Sequence, residues 1–85
     1  MAYRMKVSDI FEVGGKTIFT GELQPSSVEQ TKGRCRIQVD GTDGGIVEIG
    51  GEVQTGKENR DLWTNSVVGI TKADVDNKDV WLVSK

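Results

Sequence analysis

The stretch DIFEVGGKTIFTGEL, residues 9–23, carries the clearest structural pattern in this chain of 85 residues. β-Branched and aromatic residues precede and follow its glycine pair, Gly14-Gly15. Such residues on both sides of a Gly-Gly step are typical of a β-hairpin. The sequence therefore predicts two strands, residues 4–13 and 17–23, joined by a glycine turn.

The first predicted strand contains an irregularity. Met5 and Val7 alternate with polar residues, and the alternation then changes phase before Phe11. One extra residue in one strand of a pair produces such a change of phase. We therefore expect a β-bulge near Ser8-Asp9.

Residues 34–40 form the most regular of the other predicted strands. Cys35, Ile37 and Val39 fall on one face, which is expected to enter the core, while charged and polar residues fall on the face toward water. Three more strands are predicted over residues 46–49, 67–71 and 80–83. Polar loops are predicted over residues 26–33 and 54–61, a glycine-rich turn over residues 41–45, and a turn or bulge at residues 50–51. Residues 62–63 should return to apolar surroundings, and residues 74–79 should form a charged connection with room for a helical turn.

Short strands separated by frequent turns, with no helical periodicity, favour an all-β fold. The chain contains 11 glycines and one proline, a balance that suits tight turns and bulges. Closure of the sheet would protect strand edges that a small open sheet exposes. We predict a single domain over residues 1–85, a small closed antiparallel β-barrel of six to seven strands.

Charge and cysteine content limit the classes of function. The net charge is −2, so nucleic-acid binding would require a local basic patch. Cys35 is the only cysteine and cannot form an internal disulfide. Residues 1–10 lack the apolar core of a signal peptide, and no apolar run reaches the ~20 residues that span a bilayer. A cytoplasmic location without membrane contact is the expectation.

The sequence SDIFEVGGKTIFTGEL, residues 8–23, resembles the start of the second domain of translational GTPases, the β-barrel of elongation factor Tu and its relatives. In that family an E-D-V-F strand leads into G-R-G-T-V-V-T-G-R-V. GRCRIQV, residues 33–39, is similar to the family's G-D-E-V-E-I-V strand, and residues 67–80 are similar to its closing V-G-V…G-I-K-x-x-D-I-x-x-G-x-V-L. The positions that fit the opening pattern are Asp9, Phe11, Gly15, Thr17, Thr20 and Gly21.

The resemblance implies a closed β-barrel that docks on RNA, the ribosome or a translation-associated partner. Three positions depart from the pattern. Ser8 replaces a glutamate near the family's pocket for the aminoacyl end of tRNA, the turn at Gly15-Lys16 is one residue shorter, and Lys78 replaces a glycine. No GTPase domain precedes the barrel, so we expect a free-standing copy or a fragment.

Several catalytic and ligand-binding motifs are incomplete. Residues 51–57 satisfy the G-x-x-x-x-G-K spacing of a phosphate loop, but Glu58 replaces its Ser or Thr, and Gly15-Lys16-Thr17 lacks the first glycine. Asp40 and Asp43 lack the spacing of a calcium loop. The chain has no histidine, and Cys35 is interpreted as a core residue rather than a nucleophile or zinc ligand. We predict no enzymatic activity, no nucleotide, no metal and no cofactor.

Basic residues interleaved with aromatic ones suggest a surface for RNA backbone contacts and base stacking. In the alternative interpretation these charges only solubilise a strand face, their effect is offset by neighbouring acids, and Phe11, Trp63 and Trp81 belong to the core. A protein-interaction or scaffold domain with no RNA role is the rival function. The candidate residues for RNA or partner binding are Lys6, Phe11, Lys16, Lys32, Arg34 and Arg36.

Overall fold

The computed structural model describes residues 3–24, 31–53 and 59–84. Most of these residues lie in strands, which confirms the predicted all-β class. Within the described ranges the elements are β1 (Arg4–Val13), β2 (Lys16–Gln24), β3 (Gly33–Val39), β4 (Thr42–Val53), β5 (Arg60–Thr64), α1 (Lys72–Asn77) and β6 (Val80–Ser84).

The six strands form one closed ring. Their hydrogen-bonded order is β1-β2-β5-β4-β3-β6, and β6 pairs with β1 to complete the circuit. Every pairing is antiparallel. Because the ring closes, each of these strands has a neighbour on both sides, as the predicted closed antiparallel sheet requires.

The hairpin of β1 and β2 has the turn and the bulge that the sequence predicts. Gly14 and Gly15 both have positive φ, 58° and 81°, as a two-residue turn of the primed type needs. The pairing of β1 with β2 shifts between Val7 and Asp9, so Ser8 is the extra residue. The Ser8 hydroxyl donates to the carbonyl oxygen of Thr20 at 3.1 Å, which ties the bulge to the partner strand.

The core lies inside the ring and follows the predicted alternation. Cys35 and Ile37 are fully buried, and Val39, near the end of β3, is half-buried against the core. Phe19 and Leu62 face each other across β2 and β5 and are also fully buried. Burial of these side chains from several strands provides the main stabilisation of the ring.

Residues 67–71 were predicted to be a strand, and this prediction is wrong. Residues 65–71 cross from β5 to α1 without regular structure. The β-branched pair Val67-Val68 suits a strand, but the ring already closes through β6 and offers this segment no free edge.

Three further elements differ from the predictions. β4 spans Thr42–Val53, so most of the predicted turn over residues 41–45 lies in the strand, and residues 50–51 form a bulge within it. β5 occupies Arg60–Thr64, where the sequence predicted loop through residue 61 and then only a return to apolar surroundings. The helical turn begins earlier than residue 74, because the Thr71 hydroxyl accepts a hydrogen bond from the Asp74 amide and so caps α1. α1 packs against the core through Val75.

Candidate binding surfaces

The six candidate residues lie in three separate places. Lys6 lies on the outer side of β1, and Arg34 and Arg36 lie on the outer side of β3, with β6 between the two strands. Lys16 and Lys32 lie near Trp63. Phe11 lines a cleft beside the β1–β2 hairpin.

The first group belongs to the outer surface of β1, β6 and β3. Lys6 pairs with Trp81, which pairs in turn with Gln38, while Arg4 pairs with Val83 and thus lies in one row with Arg36. The alternate positions along these strands are buried, so the members of both rows point outward. We name this surface the Trp81 face, and its basic and aromatic members are Arg4, Lys6, Trp81, Arg34 and Arg36.

Trp81 is the centre of this face. The guanidinium carbon of Arg4 lies 4.1 Å from the centroid of the indole ring, and Lys6 Nζ lies 5.6 Å from it. Both distances are within the range of cation–π attraction. The indole Nε1 donates to Asp79 Oδ2 at 3.3 Å, which fixes the ring on the surface. The interpretation of Trp81 as a core anchor is therefore wrong, since the ring is half-buried and faces outward.

Acidic residues stand beside three cations of the Trp81 face. Lys6 forms an ion pair with Asp79. Arg34 Nε lies 4.0 Å from Glu48 Oε2, and Arg36 Nε lies 4.0 Å from Asp43 Oδ2. All of these side chains are exposed, and exposed pairs contribute only about 0–1 kcal/mol each. An incoming anion can replace such carboxylates at little cost.

Arg4 has no carboxylate partner among the residues that the structure describes. Sequence reasoning missed both Arg4 and Trp81. The signal was available, because Val80 and Leu82 alternate with Trp81 in β6 and are fully buried. The same alternation places Arg4 on the side of Lys6.

Lys16 and Lys32 lie by a second tryptophan. Lys16 Nζ lies 4.5 Å from the centroid of the Trp63 ring, and Lys32 lines a shallow groove of about 390 Å³ together with Trp63 and Ser66. Two strands separate β5 from β6 in either direction round the ring, so Trp63 and Trp81 lie on opposite sides of the molecule. The basic candidates therefore do not form one continuous patch.

Phe11 contributes to a larger recess, which we name the hairpin cleft. Its volume is about 470 Å³, and it lies between residues 10–12, 15 and 17 of the hairpin and residues 65–68 and 70–72. Phe11 is 41% exposed, so the interpretation of Phe11 as a core residue is wrong. Val67 is 96% exposed at the opposite wall.

The cysteine lies in a buried polar contact. The Tyr3 hydroxyl donates to the carbonyl oxygen of Thr31 at 2.6 Å and lies 3.2 Å from Cys35 Sγ. Burial raises the pKa of both the Tyr3 phenol and the Cys35 thiol. Because the thiolate is the reactive form, Cys35 lacks the character of a nucleophile.

The incomplete ligand motifs fall on hairpin turns and on the strand ends beside them, where the structure describes them. Gly15-Lys16-Thr17 belongs to the hairpin and precedes no helix. Asp43 Oδ1 accepts a hydrogen bond from the Gly45 amide at 2.9 Å, and Asp40 Oδ1 accepts one from the Asp79 amide at 2.8 Å. The second glycine-lysine motif ends in residues 54–58, which lie outside the described residues.

The described parts of the chain contain no group of three or more Cys, Asp and Glu side chains arranged to hold a metal ion. No helix in residues 3–24, 31–53 and 59–84 is long and apolar enough to cross a membrane. Comparison with protein-family models, with curated proteins and with solved structures finds no match to this chain.

Proposed function

We propose that this chain is a non-enzymatic binding module of the translation-factor second-domain type, which docks on exposed single-stranded RNA, as found on the ribosome, through the Trp81 face. The observation that carries the proposal is the Trp81 ring with both Arg4 and Lys6 within cation–π distance of it. Arg36 lies in the same row as Arg4, one strand beyond β6. The resemblance of residues 8–23 to the translational GTPases supports the same class of partner.

The chemistry of this face suits RNA with unpaired bases. Unstacked bases pack on aromatic rings and on guanidinium planes, while phosphates contact Lys and Arg. Neighbouring strands lie about 4.8 Å apart, so Arg4 and Arg36 stand about 10 Å apart, on either side of β6. A strand of RNA crossing β6 from Arg4 to Arg36 would pass beside the Trp81 ring, which belongs to the next row and lies 4.1 Å from Arg4.

A titration of fluorescein-labelled oligouridine RNA, followed by anisotropy at about 50 and about 200 mM salt, tests the proposal. We expect four phosphate contacts, made by Arg4, Lys6, Arg34 and Arg36. Each contact adds about 0.7 to the slope of log affinity against log salt for a single strand, so raising the salt over this range should weaken binding roughly 50-fold. The affinity of the double variant Arg34→Ala/Arg36→Ala should fall only roughly 7-fold over the same increase in salt, because two phosphate contacts remain.

Lys16→Ala is the matched control, since it removes an exposed cation from the opposite side of the ring. It should retain the affinity and the salt slope of the unaltered chain. No binding at either salt concentration, or an unchanged slope in the double variant, would remove the RNA proposal.

A protein-docking module without an RNA role is the second candidate. The exposed apolar side chains of the hairpin cleft and the carboxylates beside Lys6, Arg34 and Arg36 favour it. A pull-down from lysate with and without ribonuclease separates the two candidates. Partners held through protein contacts survive the nuclease, and partners held through RNA are lost.

A further inference from the structure

The wall of the hairpin cleft carries backbone groups without partners. Among the described residues, the N–H and C=O groups of residues 67–70 make no hydrogen bond. Next to them, the Ser66 amide donates to Thr64 Oγ1 and the Thr71 amide donates to Asp74 Oδ2. The backbone donors and acceptors of residues 67–70 are therefore accessible to the main chain of another polypeptide.

The same cleft presents apolar side chains to solvent. Val67 is 96% exposed and Phe11 is 41% exposed, while Val68 and Ile70 are half-buried against the core. Single exposed apolar residues are ordinary on a protein surface. Here they share one recess of about 470 Å³ with the unpaired backbone, and grooves of this kind favour extended peptides with apolar side chains.

The charge of the cleft distinguishes between classes of ligand. Asp9 balances the charge of Lys72, because Lys72 Nζ lies 2.7 Å from Asp9 Oδ1. Glu12 also lines the cleft, is exposed, and forms no ion pair with any described residue. The free charge is therefore negative, which repels a phosphate backbone and attracts Lys or Arg.

We infer that the hairpin cleft binds an extended apolar segment of a partner protein that carries a basic residue. The main chain of the segment hydrogen-bonds to residues 67–70, its apolar side chains pack on Phe11 and Val67, and its cation pairs with Glu12. This site is distinct from the Trp81 face and does not depend on RNA binding there.

Selection from a phage-displayed library of random peptides on the immobilised full chain tests the inference. The enriched peptides should carry apolar residues at alternate positions and at least one Lys or Arg. The Val67→Ser and Phe11→Ser variants should bind the enriched peptide about tenfold more weakly. Val53→Ser is the matched control, since Val53 is 40% exposed at the end of β4 and does not line the cleft.

Two further measurements address the backbone contacts and the charge. Methylation of the peptide amides should weaken binding without changing any side chain, and amide hydrogen exchange at residues 67–70 should slow when the unmodified peptide binds. Glu12→Gln should weaken the binding of a Lys-containing peptide and leave the binding of its norleucine analogue unchanged.

Four outcomes would overturn the inference. The first is that the library shows no more enrichment on the unaltered chain than on the Val67→Ser variant, and the second is that peptide binding slows amide exchange elsewhere than at residues 67–70. The third is that oligouridine RNA competes with the peptide for the cleft. The fourth is that the chain dimerises with rising concentration and that Val67→Ser abolishes the dimer. The last would make a second copy of the chain the occupant.

Discussion

The indole ring of Trp63 lies directly against the backbone of Gly50, so that no side chain fits between them. Gly50 stands where the pairing of β4 with β5 shifts, between the partners Ile49↔Thr64 and Gly51↔Trp63. The bulge and the missing Cβ together let the ring lie flat on the outer surface. Lys16 Nζ also lies near this ring, 4.5 Å from its centroid.

Gly50→Ala should therefore destabilise the chain. The added Cβ would overlap Cη2 and Cζ3 of Trp63, and relief of such overpacking costs about 1–3 kcal/mol. Gly69→Ala is the control, because no atom lies within 4 Å of its added Cβ and its φ is not positive. Urea unfolding followed by tryptophan fluorescence measures both variants. Equal stabilities would contradict the account of Gly50.

Local patterns predict the hairpin well, because its turn and bulge depend on neighbouring residues. The sequence did not predict β5, because a charged residue such as Asp61 is typical of a loop. Asp61 is nevertheless buried and accepts a hydrogen bond from Thr20 Oγ1 at 2.7 Å. That partner is 41 residues away in sequence. Val67-Val68 gave the opposite error, because a β-branched pair reads as strand whether or not a pairing edge exists.

For the binding surfaces, the sequence predicts which side of its strand each residue occupies but not which residues share a surface. Alternation along β3 correctly places Arg34 and Arg36 on the outside. Alternation cannot show that β6 lies between β1 and β3, and this order alone joins Lys6 to Arg36 and separates both from Lys16. The position of a strand in the ring follows from long-range pairing, which a single sequence does not display.

The Tyr3 phenol should ionise only when the chain unfolds. Burial, and then its contact with Cys35, hold its pKa far above the ordinary value of 10.0. A phenol kept neutral in the folded state stabilises it fully below that ordinary value, and this contribution is lost as the pH rises above it. Tyr3 is the only tyrosine, so phenolate absorbance reports this group alone.

An alkaline titration should show phenolate absorbance and loss of native tryptophan fluorescence together, at a pH above 10.0. In urea the absorbance should rise near the ordinary value. Tyr3→Phe should remove the absorbance change and reduce the alkaline loss of stability. Phenolate formation near pH 10.0 with fluorescence intact would show that the Tyr3 hydroxyl is accessible.

The Cys35 thiol should react with a disulfide reagent only when the folded chain opens. It is fully buried in β3, and burial raises its pKa above the ordinary value. The thiolate is therefore scarce as well as inaccessible. The rate of Ellman's reagent should rise with urea in proportion to the unfolded fraction. Rapid, complete reaction without denaturant would contradict the buried position.

The cap of α1 should make stability sensitive to acid. The hydrogen bond from the Thr71 amide, followed by that from Lys78, holds the pKa of Asp74 below its ordinary value of 3.8. Lys72 holds the pKa of Asp9 below the same value. For such groups the stabilisation is present above the ordinary pKa and is lost as the pH falls through the lowered one.

Removal of the capping carboxylate should therefore weaken this acid response. Thermal unfolding by circular dichroism between pH 5 and pH 2 should show a smaller decrease of Tm in Asp74→Ala than in the unaltered chain. Asp76→Ala is the control, since it lies in the same helix, is exposed and accepts no hydrogen bond from a described residue. Thr71→Ala should cost about 1 kcal/mol at neutral pH through loss of the hydroxyl cap. Identical acid responses in the two aspartate variants would mean that the Asp74 carboxylate does not stabilise the cap, and the Thr71 hydroxyl and the burial of Val75 would then stabilise α1.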